Sequence, residues 1–451
     1  MRETRSPDQS AETTPLLQSP LPPPAYPTVM AVDKDDAAGP SVGQSVYEGY
    51  GPSKDLEHAD SAQAHAPGYC QYRHDQTSEY HFEDLAEFSI IEEIEQHHNN
   101  HRYISGGIVI VPAPEEQGTK ISTKVTISNK FPEHDVTTDK TDTGLVVHSI
   151  KPDRYSWDER ACTWIDITVS VPKGTKLDAL NIRSKYLSVE IQPGVDLAVD
   201  SLRVELVSGS IDSHTVIPSR RTYISPAYGS VLGSYSLLDL LDIETAAGSV
   251  NIEVVPGEAD PDKPLPAVFK VHSAAGSIQA RFPTEDESLL HDRDYRVYVQ
   301  TEAGSISGNY VHGYKSSFES KQGSITVKLL PFRPEEPSFI RTKNEVGPSM
   351  LDLLSPLDSA EATQIANINS EFTSSAGSVR AVFPPEWEGV ADVDTLVGSL
   401  RVDGKGLSVV EEGTHGPVGR WVKAVKGHGD STVVVKSKVG SVEFLVQKEE
   451  W

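Results

Sequence analysis

The sequence Val299-Gln-Thr-Glu-Ala-Gly-Ser-Ile306 decides the fold, because its pattern occurs in nine copies along the chain. Each copy has an apolar residue five positions before the glycine. A serine follows the glycine directly, and Ile, Val or Leu follows the serine. Seven of the nine copies also carry Ser or Thr three positions before the glycine. The nine glycines are Gly209, Gly229, Gly248, Gly276, Gly304, Gly323, Gly377, Gly398 and Gly440.

The pattern around each glycine predicts two strands that meet at a corner. Apolar and polar residues alternate on both sides of the glycine, as they do in strands. The two apolar anchors are an odd number of positions apart, so a continuous strand would place them on opposite faces. A bend at the glycine lets both anchors face one core, and glycine tolerates the positive φ that a bend requires. The serine is small enough for close stacking, and its hydroxyl can pair with backbone groups at the corner.

The spacing of the glycines predicts stacked repeats. Most neighbouring glycines are 19 to 28 residues apart, which suits one layer of a β-solenoid. The longer gaps after Gly323 and Gly398 can hold degenerate layers. We therefore expect an all-β protein with a β-solenoid repeat domain over residues 181–451. A tenth, degenerate copy has its corresponding residues at Ile182, Ser184, Leu187, Ser188 and Val189.

The rest of the chain divides into segments of different composition. Residues 1–80 are acidic and rich in Pro and Ser, which predicts a disordered tail. Residues 81–105 carry apolar residues at helical spacing, which predicts a short amphipathic acidic helix. Residues 106–180 contain β-branched runs between breakers and predict a β-rich entry region. Within the array, residues 333–370 are rich in proline and predict an insertion that includes a short helix at Met350–Leu354.

The start of the array resembles a known family. The stretch Thr168-Val-Ser-Val-Pro-Lys-Gly-Thr175 leads into the glycine units through Leu177, Leu180 and Ile182. In this it resembles the adhesin-like β-solenoid repeat family, over about residues 165–445. That family consists of domains of largely unknown function, with bacterial members and uncharacterised fungal relatives. The resemblance implies a right-handed β-helix-like fold and is nearly silent about activity.

Composition excludes several classes of function. The formal net charge of −26 repels phosphates, so we expect no nucleic-acid partner. No run approaches the ~20 apolar residues of a membrane span, so we expect no transmembrane segment. The N-terminal residues lack the apolar core of a signal peptide, and we expect a cytoplasmic protein. The two cysteines, Cys70 and Cys162, are too few for a disulfide framework or a cysteine zinc site.

The best short motif for a partner lies in the N-terminal tail. Pro23, Pro24 and Tyr26 form a Pro-Pro-x-Tyr sequence, which is the ligand pattern of WW domains. Consecutive prolines preform a polyproline II helix, so binding costs little ordering entropy. The motif predicts a WW-domain partner such as a ubiquitin ligase, and the alternative is a solvated linker.

Other constellations give weaker signals of chemistry. His97 and His101 have the i, i+4 spacing that can hold a metal, but no third ligand is evident. Five charged residues between two units could belong to a catalytic face, although such a run is normally solvated. They are Asp286, Asp292, Arg293, Asp294 and Arg296. We find no cofactor motif and assign no catalytic or metal-binding residue.

The sequence therefore favours a non-enzymatic structural or interaction scaffold with a disordered adaptor tail. The first alternative is a carbohydrate-active β-helix enzyme. That enzyme would need a charged cleft in which at least two carboxylates and a basic residue converge on one face. The second alternative is an adhesin that reaches the cell surface by an unconventional route.

Overall fold

The computed structural model describes residues 74–93, 103–129, 136–149, 162–357 and 364–447. These residues form an all-β structure with two long sheets of 15 and 16 strands, here called sheet 1 and sheet 2. The all-β prediction is confirmed. The helical elements of this part of the chain are two short 3-10 turns, Glu115–Gln117 and Glu287–Leu289, and none of its residues lies in an α-helix.

Seven strands precede the repeat array. They are β1 His74–Phe82, β2 Glu87–Glu93, β3 Tyr103–Pro112, β4 Ile121–Asn129, β5 Val136–Thr141, β6 Gly144–Ser149 and β7 Cys162–Val171.

The array itself contributes 24 strands. The first twelve are β8 Thr175–Ser184, β9 Ser188–Ile191, β10 Leu197–Ser208, β11 Ile211–Ser213, β12 Ser219–Tyr228, β13 Val231–Leu237, β14 Leu240–Ala247, β15 Val250–Pro256, β16 Ala267–Ala275, β17 Ile278–Arg281, β18 Tyr295–Ala303 and β19 Ile306–His312. The other twelve are β20 Lys315–Gln322, β21 Ile325–Pro331, β22 Ser338–Val346, β23 Ser349–Leu353, β24 Ile368–Ala376, β25 Val379–Phe383, β26 Gly389–Val397, β27 Leu400–Gly404, β28 Ser408–His415, β29 Gly419–Lys426, β30 Ser431–Val439 and β31 Val442–Val446.

Consecutive strands of the array alternate between the sheets. From β8 to β27, even-numbered strands lie in sheet 2 and odd-numbered strands in sheet 1. Each unit thus adds one strand to each sheet, parallel to the strand from the preceding unit. The core lies between the sheets and is filled by the inward anchors, for example Val299 and Ile306, which are 1% and 0% exposed. Both anchors of a unit therefore face one core, as the bend at the glycine predicts.

The glycines form a column in which successive units nearly touch. Gly304 has a φ of +155°, and a Cβ on it would lie 2.1 Å from the carbonyl oxygen of Gly276. No side chain fits at that distance, so close approach as well as backbone conformation requires glycine here. The column runs on through every unit to Gly377, Gly440 and Gly398.

A column of buried hydroxyl groups explains the Ser/Thr position of the unit. Thr301 Oγ1 donates to the carbonyl oxygen of Gly276 over 3.2 Å, and Ser320 Oγ donates to that of Gly304 over 3.2 Å. The bend turns these carbonyl groups toward the inside of the corner, where an unpaired acceptor would be costly. Thr395 and Ser437 make the same bond to the glycine carbonyl group of the neighbouring layer, whereas the buried hydroxyl groups of Thr245, Ser273 and Ser374 have no hydrogen-bond partner among the described residues.

The predicted insertion at residues 333–370 is wrong for its described central part, which forms a regular layer. Ser338–Val346 is β22, and Ser349–Leu353 is β23, so Met350 begins no helix. Gly347 has a φ of +131° and takes the column position next to Gly323. Asn344 replaces the hydroxyl residue, since its amide donates to the carbonyl oxygen of Gly323 over 2.9 Å. Pro348 stands where the other units have serine, which hides this unit from a motif search.

The predicted acidic helix is also wrong, because Glu87–Glu93 forms strand β2 of sheet 2. Phe88, Ile90 and Glu92 point inward and are at most 1% exposed. The Glu92 carboxylate accepts hydrogen bonds from the backbone N–H groups of Lys185 and Tyr186 at 2.7 and 2.9 Å. A buried charge is tolerated when it is hydrogen-bonded in this way. The predicted tail is too long as well, since residues 74–80 belong to β1.

The C-terminal layer does not follow the order of the sequence. Strands β30 and β31 lie between the layer of β24 and β25 and the layer of β26 and β27. The antiparallel hairpin of β28 and β29 then extends sheet 2 beyond β26. The long gap between Gly398 and Gly440 therefore holds this hairpin and no additional layer.

One cysteine can be placed. Cys162, at the beginning of β7, is buried and disulfide-bonded. The other cysteine of the chain, Cys70, lies outside the described residues.

Candidate functional site

The charged run between two units is divided among separate ion pairs and hydrogen bonds. Asp292 pairs with Arg333 over 2.7 Å, and Asp294 pairs with Arg296 over 2.7 Å. Asp286 accepts a hydrogen bond from the backbone N–H of Ser288. Each of these carboxylates therefore has its own hydrogen-bonded neighbour, and Asp292 and Asp294 both interact electrostatically with Arg333.

Arg293, from the same run, is a buried anchor of a neighbouring loop. Its side chain is 1% exposed and donates to the carbonyl oxygens of Gly257 and Leu265 at 2.9 and 2.7 Å. It also donates to the Asp239 carboxylate over 3.3 Å, and Asp239 pairs on its other side with Arg220. The expectation of a solvated run is wrong at this residue, because the guanidinium holds loop 257–266 against the sheets.

A shallow groove lies on the outer face of sheet 2, where strands β14, β16, β18 and β20 run side by side. Its volume is about 390 Å³. We call it the sheet 2 groove. Two rows of outward side chains line it, each with one residue from each of the four strands. The first row is Asp242, Lys270, Tyr298 and Ser317, and the second is Glu244, His272, Gln300 and Glu319.

The electrostatics of the sheet 2 groove are mixed and acidic overall. Partial burial raises the pKa of Asp242, and Lys270, whose Nζ lies 3.9 Å from Asp242 Oδ2, opposes this shift. Glu244, two residues along the same strand, raises the pKa of Asp242 further. Glu319 lies at the other side of the groove, and its Oε1 is 3.6 Å from Nη1 of Arg341. Perturbed carboxyl groups in a groove are typical of functional sites.

The aromatic ring in the sheet 2 groove has a cation on one side. Lys315 Nζ lies 5.7 Å from the centroid of the Tyr298 ring, within the range of a cation–π contact. Lys315 does not line the groove, whereas Tyr298 does. The ring therefore stands at the border of the groove with one face toward Lys315.

Sequence reasoning missed this groove, although a signal for it exists. Its residues stand six and four positions before the aligned glycines Gly248, Gly276, Gly304 and Gly323. These positions point outward, because the anchor between them points into the core. Reading the two outward columns down the alignment would have brought together carboxylates, an imidazole, a lysine and a tyrosine. The pattern crosses four units, so it is not visible within any single loop.

The other predicted site residues cannot be placed. Pro23, Pro24 and Tyr26 lie outside the described residues, and so do His97 and His101. Among the residues that the structure does describe, no three His, Cys, Asp or Glu side chains form a metal site. No helix in this part of the chain is long and apolar enough to cross a membrane.

Comparisons with known proteins give remote structural likenesses. No family model matches the chain, and no curated protein matches it. A "putative adhesin" from Parabacteroides merdae ATCC 43184 is 10% identical, with a TM-score of 0.22, over 68% of this chain and 95% of that one. A second, from Bacteroides fragilis NCTC 9343, is 9% identical with a TM-score of 0.23, over 82% and 97%. A "putative cell adhesion protein" from Clostridium sporogenes ATCC 15579 is 8% identical with a TM-score of 0.14, over 82% and 100%. The function of this chain is therefore argued from its own residues.

Proposed function

We propose that this chain is a non-enzymatic interaction scaffold, built as a right-handed β-solenoid of Gly-Ser-Ile/Val units. One observation carries the proposal. The recurring positions of the unit serve packing, turning or backbone pairing, while the outward positions differ from unit to unit. At the position of Tyr298, for example, the neighbouring units carry Lys270 and Ser317. A constant frame with a variable outer face suits recognition, as in other repeat proteins.

A carbohydrate-active enzyme is the second candidate, and the sheet 2 groove favours it. Asp242, Glu244 and Lys270 meet the requirement of two carboxylates and a basic residue on one face. Glycoside hydrolysis commonly uses two carboxyl groups, one of which has a raised pKa. The two candidates differ in whether a bound polysaccharide is cleaved.

The test is a search for cleavage products. The purified full chain is incubated with a panel of polysaccharides, and new reducing ends and unsaturated products are measured. The scaffold proposal expects none above a protein-free blank. Product formation by the wild type that is lost in Asp242→Asn, but retained in Asp292→Asn, would overturn it in favour of the enzyme.

The tail motif supplies a partner for the proposed scaffold. We infer that Pro23, Pro24 and Tyr26 recruit a WW-domain protein, such as a ubiquitin ligase. A pulldown with isolated WW domains compares the wild type with Tyr26→Ala and, as a control, Tyr47→Ala. Loss of binding in Tyr26→Ala alone supports the proposed WW-domain partner. Equal binding by the wild type and both variants overturns it.

The location of the protein decides between a cytoplasmic scaffold and an exported adhesin. The cytoplasmic expectation stays a prediction. The disulfide at Cys162 favours an oxidising compartment instead, because thiols are kept reduced in the cytosol. Microscopy of a tagged chain, together with surface proteolysis of intact cells, separates the two.

A further inference from the structure

Several polar side chains in the sheet 2 groove have unused hydrogen-bonding capacity. The side chains of Glu244, His272 and Gln300 make no hydrogen bond or ion pair with the residues that the structure describes, although His272 interacts electrostatically with Glu302. Elsewhere on the outer face of sheet 2, opposite charges pair between neighbouring strands. Arg183 pairs with Glu205 over 3.2 Å, and Lys321 with Glu302 over 2.7 Å. The groove also contains such a pair, Lys270 with Asp242, but Glu244, His272 and Gln300 in its second row keep their side-chain donors and acceptors available to a ligand.

The spacing of these groups suits an extended ligand that lies across the strands. Neighbouring parallel strands are about 4.8 Å apart, and outward residues of one strand are about 6.6 Å apart. Glu244, His272 and Gln300 come from three successive strands in register, so they form a line across the sheet. The parallel sheet fixes the backbone positions of these three residues, because every strand is paired on both sides. Their spacing is therefore set before a ligand binds, and only the side-chain rotamers must be ordered.

The ring of Tyr298 adds an apolar surface to this line. Sugar rings combine an apolar C–H face with hydroxyl groups at their edges, so they match an aromatic ring that is flanked by polar side chains. The volume of about 390 Å³ lies near the lower end of the ~300–1,000 Å³ of small-ligand sites. The open form of the groove suits a short segment of a longer chain.

The charge of the sheet 2 groove selects among such ligands. Asp242, Glu244 and Glu319 line it together with one lysine, Lys270, and a polyanionic glycan would be repelled. A basic peptide would be attracted by the three carboxylates, but Lys270 inside the groove and Lys315 over the ring of Tyr298 would repel it. A neutral glycan meets no repulsion from either sign of charge.

We propose that the sheet 2 groove binds a neutral oligosaccharide, with a sugar ring on Tyr298 and hydroxyl groups hydrogen-bonded to Glu244, His272 and Gln300. This inference rests on the proposed function, because it names the ligand class of the scaffold's outer face. It assigns no cleavage to the groove.

The experiment measures binding of defined probes to the full chain. The probes are gluco-, manno-, galacto- and xylo-oligosaccharides of four to six units, measured by calorimetry at low and high salt. Tyr298→Ala and Gln300→Ala are compared with Tyr314→Ala. Tyr314 is the matched control, because it is exposed and has an arginine, Arg296, over its ring, but does not line the groove. Thermal unfolding of each variant confirms that it is folded.

We expect at least one neutral probe to bind, with an affinity that falls tenfold or more in Tyr298→Ala and stays unchanged in Tyr314→Ala. The affinity should depend little on salt, since the ligand carries no charge. The inference is overturned if no neutral probe binds at millimolar concentration, or if Tyr298→Ala binds as the wild type does. Binding of oligolysine or of oligogalacturonate in place of the neutral probes overturns it as well. If no probe binds, this inference fails and the scaffold proposal is unaffected. If a bound probe releases reducing ends, the scaffold proposal is overturned and the groove remains a carbohydrate-binding site.

Discussion

At the scale of single residues, the glycine column is the strictest demand of the fold. Every unit brings its backbone corner against the carbonyl group of the preceding unit, so any side chain at the glycine must displace backbone. Backbone at such a corner is held by hydrogen bonds on both sides and cannot yield at low cost. The column therefore explains why glycine recurs while the outward residues around it vary.

We predict that Gly304→Ala destabilises the fold by about 3 kcal/mol, through steric overlap with Gly276 and a strained φ. Gly107→Ala is the control, because a Cβ there would meet only the Ser188 carbonyl oxygen at 3.8 Å, an ordinary contact. Its effect should be below about 1 kcal/mol. Urea unfolding measures both variants, and equal midpoints would contradict the role of the column.

A second prediction at this scale concerns His312, which is fully buried next to Ser316 Oγ, 2.8 Å from its Nδ1. Burial lowers the pKa of His312 to about 3, from the ordinary 6.5. The unfolded chain thus binds the proton more tightly than the folded chain does. The stability from this residue is fully present above pH 6.5 and is lost as the pH falls toward 3.

The slope of this loss approaches about 1.4 kcal/mol per pH unit below pH 6.5. Between pH 6.5 and 5, where most carboxyl groups stay ionised, His312→Gln should show a flatter dependence of unfolding free energy on pH than the wild type. Parallel curves for the two proteins would contradict the prediction, because they would show that folding does not lower the pKa of His312.

At the scale of elements, one loop depends on a buried ion cluster. Arg293 joins Asp239, Gly257 and Leu265, which belong to different segments of the chain. Removing one partner of a buried pair leaves an uncompensated charge and costs more than the pair itself contributes. The loop 257–266 is thereby fastened by a residue from the following unit.

We expect Arg293→Met to destabilise the protein by about 2 to 4 kcal/mol, because two carbonyl groups lose their donor and Asp239, which keeps Arg220, loses one of its two cations. Arg296→Met is the matched control, since Arg296 pairs with Asp294 near the surface and should cost below about 1 kcal/mol. Limited proteolysis should cut loop 257–266 faster in Arg293→Met alone. Equal rates of cutting in both variants would show that Arg293 does not hold loop 257–266 in place.

At the scale of the whole molecule, the fold is a stack in which each layer contacts mainly its neighbours. A complete unit should then be removable, because the flanking units present the same surfaces to each other. The nineteen residues 305–323 form such a unit and contain β19 and β20. Their removal joins Gly304 to Ser324 and Ile325, which restores the Gly-Ser-Ile sequence.

We predict that the chain without residues 305–323 folds cooperatively with a strand spectrum like that of the wild type. Deletion of Lys315–Gln322, which is β20 alone, should prevent folding, because the following strands would exchange sheets. Circular dichroism and urea unfolding compare the two deletions. Loss of folding in both would contradict a stack of independent layers.

The sequence by itself determined the repeat, the corner and the core. The anchors and the glycine make their contacts within one unit or between adjacent units. An alignment of the units is therefore enough to explain why these residues recur. The layer at Gly347 was hidden because Asn344 and Pro348 replace the usual residues, and only the position of their backbone reveals the equivalence. Strand β2 was misread as a helix because Glu92 is buried by partners more than ninety residues away in the chain.

Only the tertiary structure decided what lies beyond one unit. The insertion of β30 and β31 between two earlier layers depends on which surfaces pack together, and no local pattern records it. The sheet 2 groove exists because four strands come into register, and single units show only unrelated polar residues. The sequence of each unit determines which of its residues are buried, because the alternation of apolar and polar residues lies within that unit. The register and order of the stacked strands decide which outward side chains become neighbours, and therefore which surface is available for binding.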